Sequence, residues 1–103
     1  MLNNKQKQSL VKYAQEHKII KFNIGKGHID EKVIENLSNG IRTHELIKIS
    51  LLKTAFNSQQ EKNEIFIQIL MALKADLVSK IGNTIVVYKE NKDLKNPINL
   101  SKI

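Results

Sequence analysis

The segment Ile24-Gly25-Lys26-Gly27-His28-Ile29 lies between a strand-like run and a helix-like run, and it constrains the fold more than any other stretch. Upstream, Ile19-Ile20-Lys21-Phe22-Asn23-Ile24 is short, apolar and partly alternating, the pattern of a strand. Downstream, Asp30 is a residue type that caps helix starts, and Val33, Ile34, Leu37 and Ile41 recur at helical spacing. A strand that turns through glycines into a helix leaves free backbone N–H groups and the positive end of a helix dipole facing one point. Lys26 adds a cation there. This is the composition of a phosphate-contacting loop.

At 103 residues the chain has room for one modest core and not for two. It has no cysteine, so neither disulfides nor thiolate metal sites can brace it. The first residues lack the apolar stretch of a signal peptide, and Ile65–Leu73, the longest apolar run, is interrupted by Gln68 and too short to span a bilayer. The expectation is a soluble cytoplasmic domain, monomeric, acting on no membrane.

A net charge of +7 makes a polyanion the leading class of partner. The excess is uneven. Residues 1–29 carry Lys5, Lys7, Lys12, Lys18, Lys21 and Lys26 against Glu16 alone, whereas residues 30–64 are close to balanced. A chain rich in Lys, Asn and Ile throughout supplies part of this surplus as background.

The remaining elements follow from periodicity and caps. Asn3–His17 reads as a first helix with Leu10, Ala14 and Tyr13 inward and its lysines outward; His17 suits its C-terminus. The second helix spans about Asp30–Arg42, with Asn39-Gly40 as a place where it could stop a turn early. Glu45–Leu51 is a strand with Ile47, Ile49 and Leu51 on one face. Ser58-Gln59-Gln60-Glu61 is a capping box opening a third helix to about Lys74. Ile65, Ile67 and Ile69 also alternate as a strand would, but the length and the cap decide for helix. Asp76–Ile81 and Thr84–Lys89 flank Gly82-Asn83, a hairpin turn. Residues 90–103 are mostly polar, hold the only proline and read as a tail.

The order is α-β-α-β-α-β-β, a single α/β domain with a four-stranded mixed sheet. Right-handed crossovers place the second and third helices on the same sheet face. If Phe22, Ile49 and Ile81 point inward, the other face carries Lys21, Asn23, Lys48, Ser50 and Lys80. Such residues make either an ordinary solvated face or a second basic surface beside the loop.

Enzymatic chemistry has little support. His17, His28 and His44 show no metal-binding spacing, and Gly25-Lys26 lacks the rest of a nucleotide-hydrolysing phosphate loop. Glu31 and Glu35 share a helix face without forming a two-metal cluster. No catalytic residue, metal, cofactor or small-molecule substrate is expected. A small basic nuclease using His28 and a nearby lysine, or a general nucleic-acid-binding module contacting DNA through the glycine loop, stand as alternatives to an RNA-binding protein.

Four segments carry a likeness to a known family: Leu2-Asn3-Asn4-Lys5-Gln6-Lys7 with Leu10, Ile24–Ile29, His44-Glu45-Leu46-Ile47-Lys48-Ile49, and Ile81–Lys89. In this order they resemble the YhbY-type RNA-binding proteins, the stand-alone bacterial form of the CRM domain. The resemblance covers residues 2 to 89 and sets a domain over 1–89 with the tail at 90–103. It implies a fold similar to the C-terminal domain of the third bacterial initiation factor. It also implies binding of ribosomal RNA on precursors of the large ribosomal subunit. Organelle relatives act in intron splicing.

The family loop is usually G-x-x-G, and His28 stands at the second glycine position, where a left-handed backbone has a steric cost. Protonated, His28 can contact a phosphate; it can also stack on a base. Asn83 occupies a turn position where relatives often carry a basic residue. His44 is expected to satisfy backbone groups at the helix–strand corner, with Glu45 holding it by a hydrogen bond. Charge and resemblance together nominate Lys5, Lys7, Lys12, Lys21, Gly25, Lys26, Gly27, His28 and Lys48 as RNA-binding. With Phe22 in the core, few aromatics remain for base stacking, so backbone contacts to structured RNA should dominate.

Overall fold

The computed structural model describes residues 3–17, 19–25 and 30–90. The elements are α1 (Asn4–Glu16), β1 (Lys21–Ile24), α2 (Glu31–His44), β2 (Leu46–Leu51), a short 3-10 turn (Lys53–Ala55), α3 (Gln59–Leu73), β3 (Asp76–Ile81) and β4 (Thr84–Tyr88). Every expected element is present, each within two residues of its expected limits. Local chemistry explains the boundaries. Asn3 and Gln6 cap α1 reciprocally, the Asn3 side chain accepting from the Gln6 amide at 2.8 Å and Gln6 Oε1 from the Asn3 amide at 3.0 Å. Asp30 accepts from the Val33 amide at 2.9 Å and starts α2. Ser58 does the same for Glu61 at 3.1 Å and starts α3. Lys74 ends α3 in the left-handed conformation, its amide donating to the Leu70 carbonyl.

The strands lie in the order β1-β2-β4-β3, with β1 parallel to β2 and β4 antiparallel to both its neighbours. Ile47, Ile49 and Leu51 of β2 and Ile85 and Val87 of β4 face α2 and α3, forming the main core with Leu37, Ile41, Phe66, Ile69 and Leu73. A smaller cluster on the opposite face joins Leu10 of α1 to Leu46, Val78 and Tyr88. Helix α1 thus covers one end of that face.

Three details differ from expectation. Helix α2, expected to end at about Arg42, takes no early stop at Asn39-Gly40 and runs on to His44. Gly40 serves packing instead: a β-carbon there would lie 2.5 Å from the tip of the Phe22 ring, so its absence lets α2 approach β1. Second, Lys80 and Ile81 exchange faces. A bulge between Leu77 and Ser79 inserts a residue into β3, so Lys80 pairs with the core residue Ile85, and Ile81 pairs with Thr84. The Lys80 ammonium then bonds Asn63 and lies 5.7 Å from the Phe66 ring centroid, on the α3 side. Ile81 is 76% exposed on the other face, so it cannot be the inward anchor its sequence position suggests.

The third difference is the α2–β2 corner. Glu45 is not the first residue of the strand; it is the entire connection, at φ 62, with its amide on the Ile41 carbonyl at 2.7 Å. Its carbonyl accepts from the Lys89 amide at 2.8 Å, and the residue is buried. The backbone groups of the corner are therefore satisfied by backbone. The His44 ring is exposed and does not take the expected corner role.

Candidate nucleic-acid interface

Side chains alternate across a strand, so the residues sharing the face opposite α2 and α3 can be read from the register. One cross-strand row is Lys21–Lys48–Val86–Ser79, and the next is Asn23–Ser50–Thr84–Ile81. Helix α1 covers the row Leu46–Tyr88–Asp76 and reaches Val86 of the next row, leaving Lys21 of that row exposed and Lys48 half-buried. Neither of the two rows nearer the loop contains an acid.

Lys21 and Lys48 are direct register partners on neighbouring parallel strands, about 4.8 Å apart in backbone spacing. Like charges directly opposite one another destabilise a sheet. Among the described residues neither lysine has an ion-pair partner to offset this.

The row Asn23–Ser50–Thr84–Ile81 borders the end of the sheet where the glycine loop begins. There the Leu52 amide bonds the Ile24 carbonyl at 2.8 Å, and the Leu51 amide bonds the Asn83 carbonyl at 2.8 Å. Gly25 lies against Leu52, whose Cδ1 would be 3.3 Å from a β-carbon at that position. The starts of α2 and α3, the 3-10 turn and the β3–β4 turn all gather at this end. Lys62 ties two of them together. It is 4% exposed, donates to the Gly82 carbonyl at 3.2 Å and to Asn83 Oδ1 at 3.3 Å, and its ammonium lies 5.7 Å from the Phe56 ring centroid. Asn83 therefore has an internal role as an acceptor.

Of the nominated residues, Lys26, Gly27 and His28 lie outside the described residues. Gly25 is in place at the end of β1, and Lys21 and Lys48 come together on the open face. The remaining nominated lysines are on α1. Lys5 and Lys12 are exposed and stand, at 100° per residue, on the side of the helix turned away from buried Leu10. Lys7 is half-buried on its flank. Lys12 Nζ lies 3.9 Å from Glu16, both side chains largely exposed, so this pair contributes little. His17 caps α1 as expected, with Nδ1 3.1 Å from the Tyr13 carbonyl and its ring stacked on Tyr13 at 4.0 Å.

Sequence reasoning missed Thr84 and Ile81 as members of the open face, and it missed Lys62 altogether. The bulge that exposes Ile81 has no signature in Asp76–Ile81. Lys62 follows the α3 cap among other polar residues, and only the fold brings it under the hairpin turn. Among the described residues no three His, Cys, Asp or Glu side chains converge as a metal site would require. No described helix is long and apolar enough to cross a membrane.

A small α/β domain that sets Lys21 and Lys48 side by side, in the two acid-free rows of its sheet face nearest Gly25, belongs to a class of fold suited to binding polyanions. Residues 2–89 match the CRS1 / YhbY (CRM) domain, and the chain belongs to that family. It is 37% identical over 95 residues to the Bacillus subtilis protein named "Probable RNA-binding protein YqeI", covering 92% of this chain and 95% of that one. The solution structure of the hypothetical protein SAV1595 from Staphylococcus aureus superposes with a TM-score of 0.70 at 37% identity. That match covers 92% of this chain and 95% of the other.

Proposed function

We propose that this protein is a non-enzymatic RNA-binding protein that binds ribosomal RNA on precursors of the large ribosomal subunit and assists their assembly. The observation that carries the reading is the Lys21–Lys48 pair, held side by side on an open face beside the start of the glycine loop. Two cations in register, with no ion-pair partner among the described residues, have a cost to the fold and are suited to the phosphates of a folded RNA. Family membership and the name of the Bacillus subtilis relative support RNA as the polyanion. The assembly role rests on the family resemblance.

Binding proceeds through charge and shape. Lys21 and Lys48 neutralise phosphates, and the loop Gly25-Lys26-Gly27-His28 adds backbone amides and a cation at the start of α2. Lys5, Lys7 and Lys12 of α1 form a second cationic surface that contacts a neighbouring segment of a large RNA. The two rows nearest the loop hold no aromatic ring, so base stacking on the sheet is a minor contribution. The protein acts as a cytoplasmic monomer without a cofactor, over residues 1–89, with 90–103 as a polar tail.

The test is sedimentation of tagged protein from growing cells, followed by crosslinking. The expected result is co-sedimentation with large-subunit precursors rather than translating ribosomes, and crosslinks to ribosomal RNA. Recovery only in ribosome-free fractions at low salt, where Coulomb attraction is strongest, contradicts the reading.

A further inference from the structure

The row Asn23–Ser50–Thr84–Ile81 has a composition that phosphate binding does not require. It carries a carboxamide, two hydroxyls and an isoleucine that is 76% exposed, and no charge. Thr84 Oγ1 donates to Ser50 Oγ at 3.1 Å across the β2–β4 ladder. This bond commits one of the two hydroxyl protons and leaves the other free to donate, and both oxygens keep acceptor capacity. Both residues are half-buried, and both are fixed on the two central strands rather than on a loop.

The neighbouring row supplies the lysines. Ser50 is two residues from Lys48 on the same face of β2, about 7 Å along the strand. That separation suits a nucleotide whose phosphate meets Lys48 while its sugar lies over Ser50. With no aromatic ring on these rows the bases have nothing to stack on, so the sugar edge is what a bound strand presents. Ile81 then offers apolar contact to the carbon side of the ribose at the far end of the row.

We infer that the Ser50–Thr84 hydroxyl pair reads the ribose 2′-hydroxyl and makes the open sheet face selective for RNA over nucleic acids lacking that group. The assignment rests on the proposed RNA-binding function and names the chemistry by which this face recognises its ligand. Lys21 and Lys48 bind any phosphate backbone, whereas Ser50 and Thr84 distinguish the sugar. Ser50 Oγ donates to or accepts from the 2′-hydroxyl, and the bond from Thr84 holds Ser50 in the orientation for it.

The experiment compares two probes by fluorescence anisotropy: a stem-loop RNA of mixed sequence and its fully 2′-fluoro counterpart. The second retains A-form shape and every phosphate but lacks the hydroxyl donor. Wild-type protein is expected to favour the ribose probe by about fivefold to tenfold, the size of one or two neutral hydrogen bonds. Ser50→Ala with Thr84→Val is expected to bring the two affinities within about twofold, by weakening ribose binding and leaving the 2′-fluoro affinity and the salt dependence unchanged. Ser50→Ala alone, with thermal melting of each variant, shows that the loss is not one of folding. Equal wild-type affinities for the two probes overturn the inference and leave RNA binding standing, as does a double variant that keeps the wild-type preference. Failure of wild type to bind either probe overturns the proposed function as well.

Discussion

Gly40 sits where a β-carbon would lie 2.5 Å and 2.8 Å from two atoms of the Phe22 ring, well inside van der Waals contact. Two effects oppose each other in Gly40→Ala. Alanine is favoured over glycine within a helix by about 1 kcal/mol, while overpacking costs about 1–3 kcal/mol. Phe22 is half-buried and can relieve part of the strain by turning, but it also packs against the main core, which limits how far it moves. The expected outcome is a net destabilisation of about 1 kcal/mol, read as a lower midpoint in urea unfolding. A stabilised variant would show that α2 does not need this close approach.

Tyr88 is a second residue-scale test. Its phenol is pushed up to about 12, first by burial and then by the charges of Glu45, Glu90 and Asp76. A phenol of ordinary pKa ~10 in the unfolded chain ionises before the folded one. The native state therefore holds its proton more tightly, so this stability is fully present below pH ~10 and is lost as pH rises toward 12. The difference in stability between wild type and Tyr88→Phe should shift against wild type by about 2–3 kcal/mol over that window, measured by urea unfolding at matched pH. A constant difference would mean that the phenol is not held neutral.

At the level of elements, the caps made the helices legible. Asp30 and Ser58 are helix-start residues in the sequence, and both accept the capping hydrogen bond that residue type predicts. The Gly82-Asn83 turn was equally plain, because a two-residue hairpin turn with glycine first needs the positive φ that Gly82 adopts. What failed was facing. Period-2 counting put Ile81 inward and Lys80 outward, and one bulged residue reversed both. Glu45 was unreadable for a related reason: a one-residue helix–strand connection at positive φ normally calls for glycine. Lys62 supplies the element-scale prediction. Its bonds to Gly82 and Asn83 hold the hairpin turn against α3, and the turn in turn accepts the Leu51 amide. In Lys62→Met the Leu51 amide should exchange with solvent about tenfold faster, as expected for the loss of about one hydrogen bond. Unchanged exchange would show that the turn holds itself.

Over the whole molecule, charge was legible from sequence and its geometry was not. The surplus in residues 1–29 is plain in a count, but the fold divides it between the outer side of α1 and the sheet face. Only strand register reveals that Lys21 and Lys48, separated by the glycine loop and α2, are direct neighbours. The candidate site was therefore half readable: its residue types were, its membership was not.

Whether Lys21 and Lys48 bind the RNA backbone as a site is read from the salt dependence of binding to a stem-loop RNA. If about four to six phosphates are neutralised, log affinity falls with log salt at a slope of roughly −3 to −5. Lys21→Ala with Lys48→Ala is compared with Lys74→Gly with Lys89→Ala, which removes the same charge at the end of the sheet opposite the loop. The first pair is expected to make the slope shallower by about 1.5 to 2 and to weaken binding at every salt concentration, while the second leaves the slope at its wild-type value. Equal changes in slope for the two pairs would contradict this, because binding would then follow net charge alone.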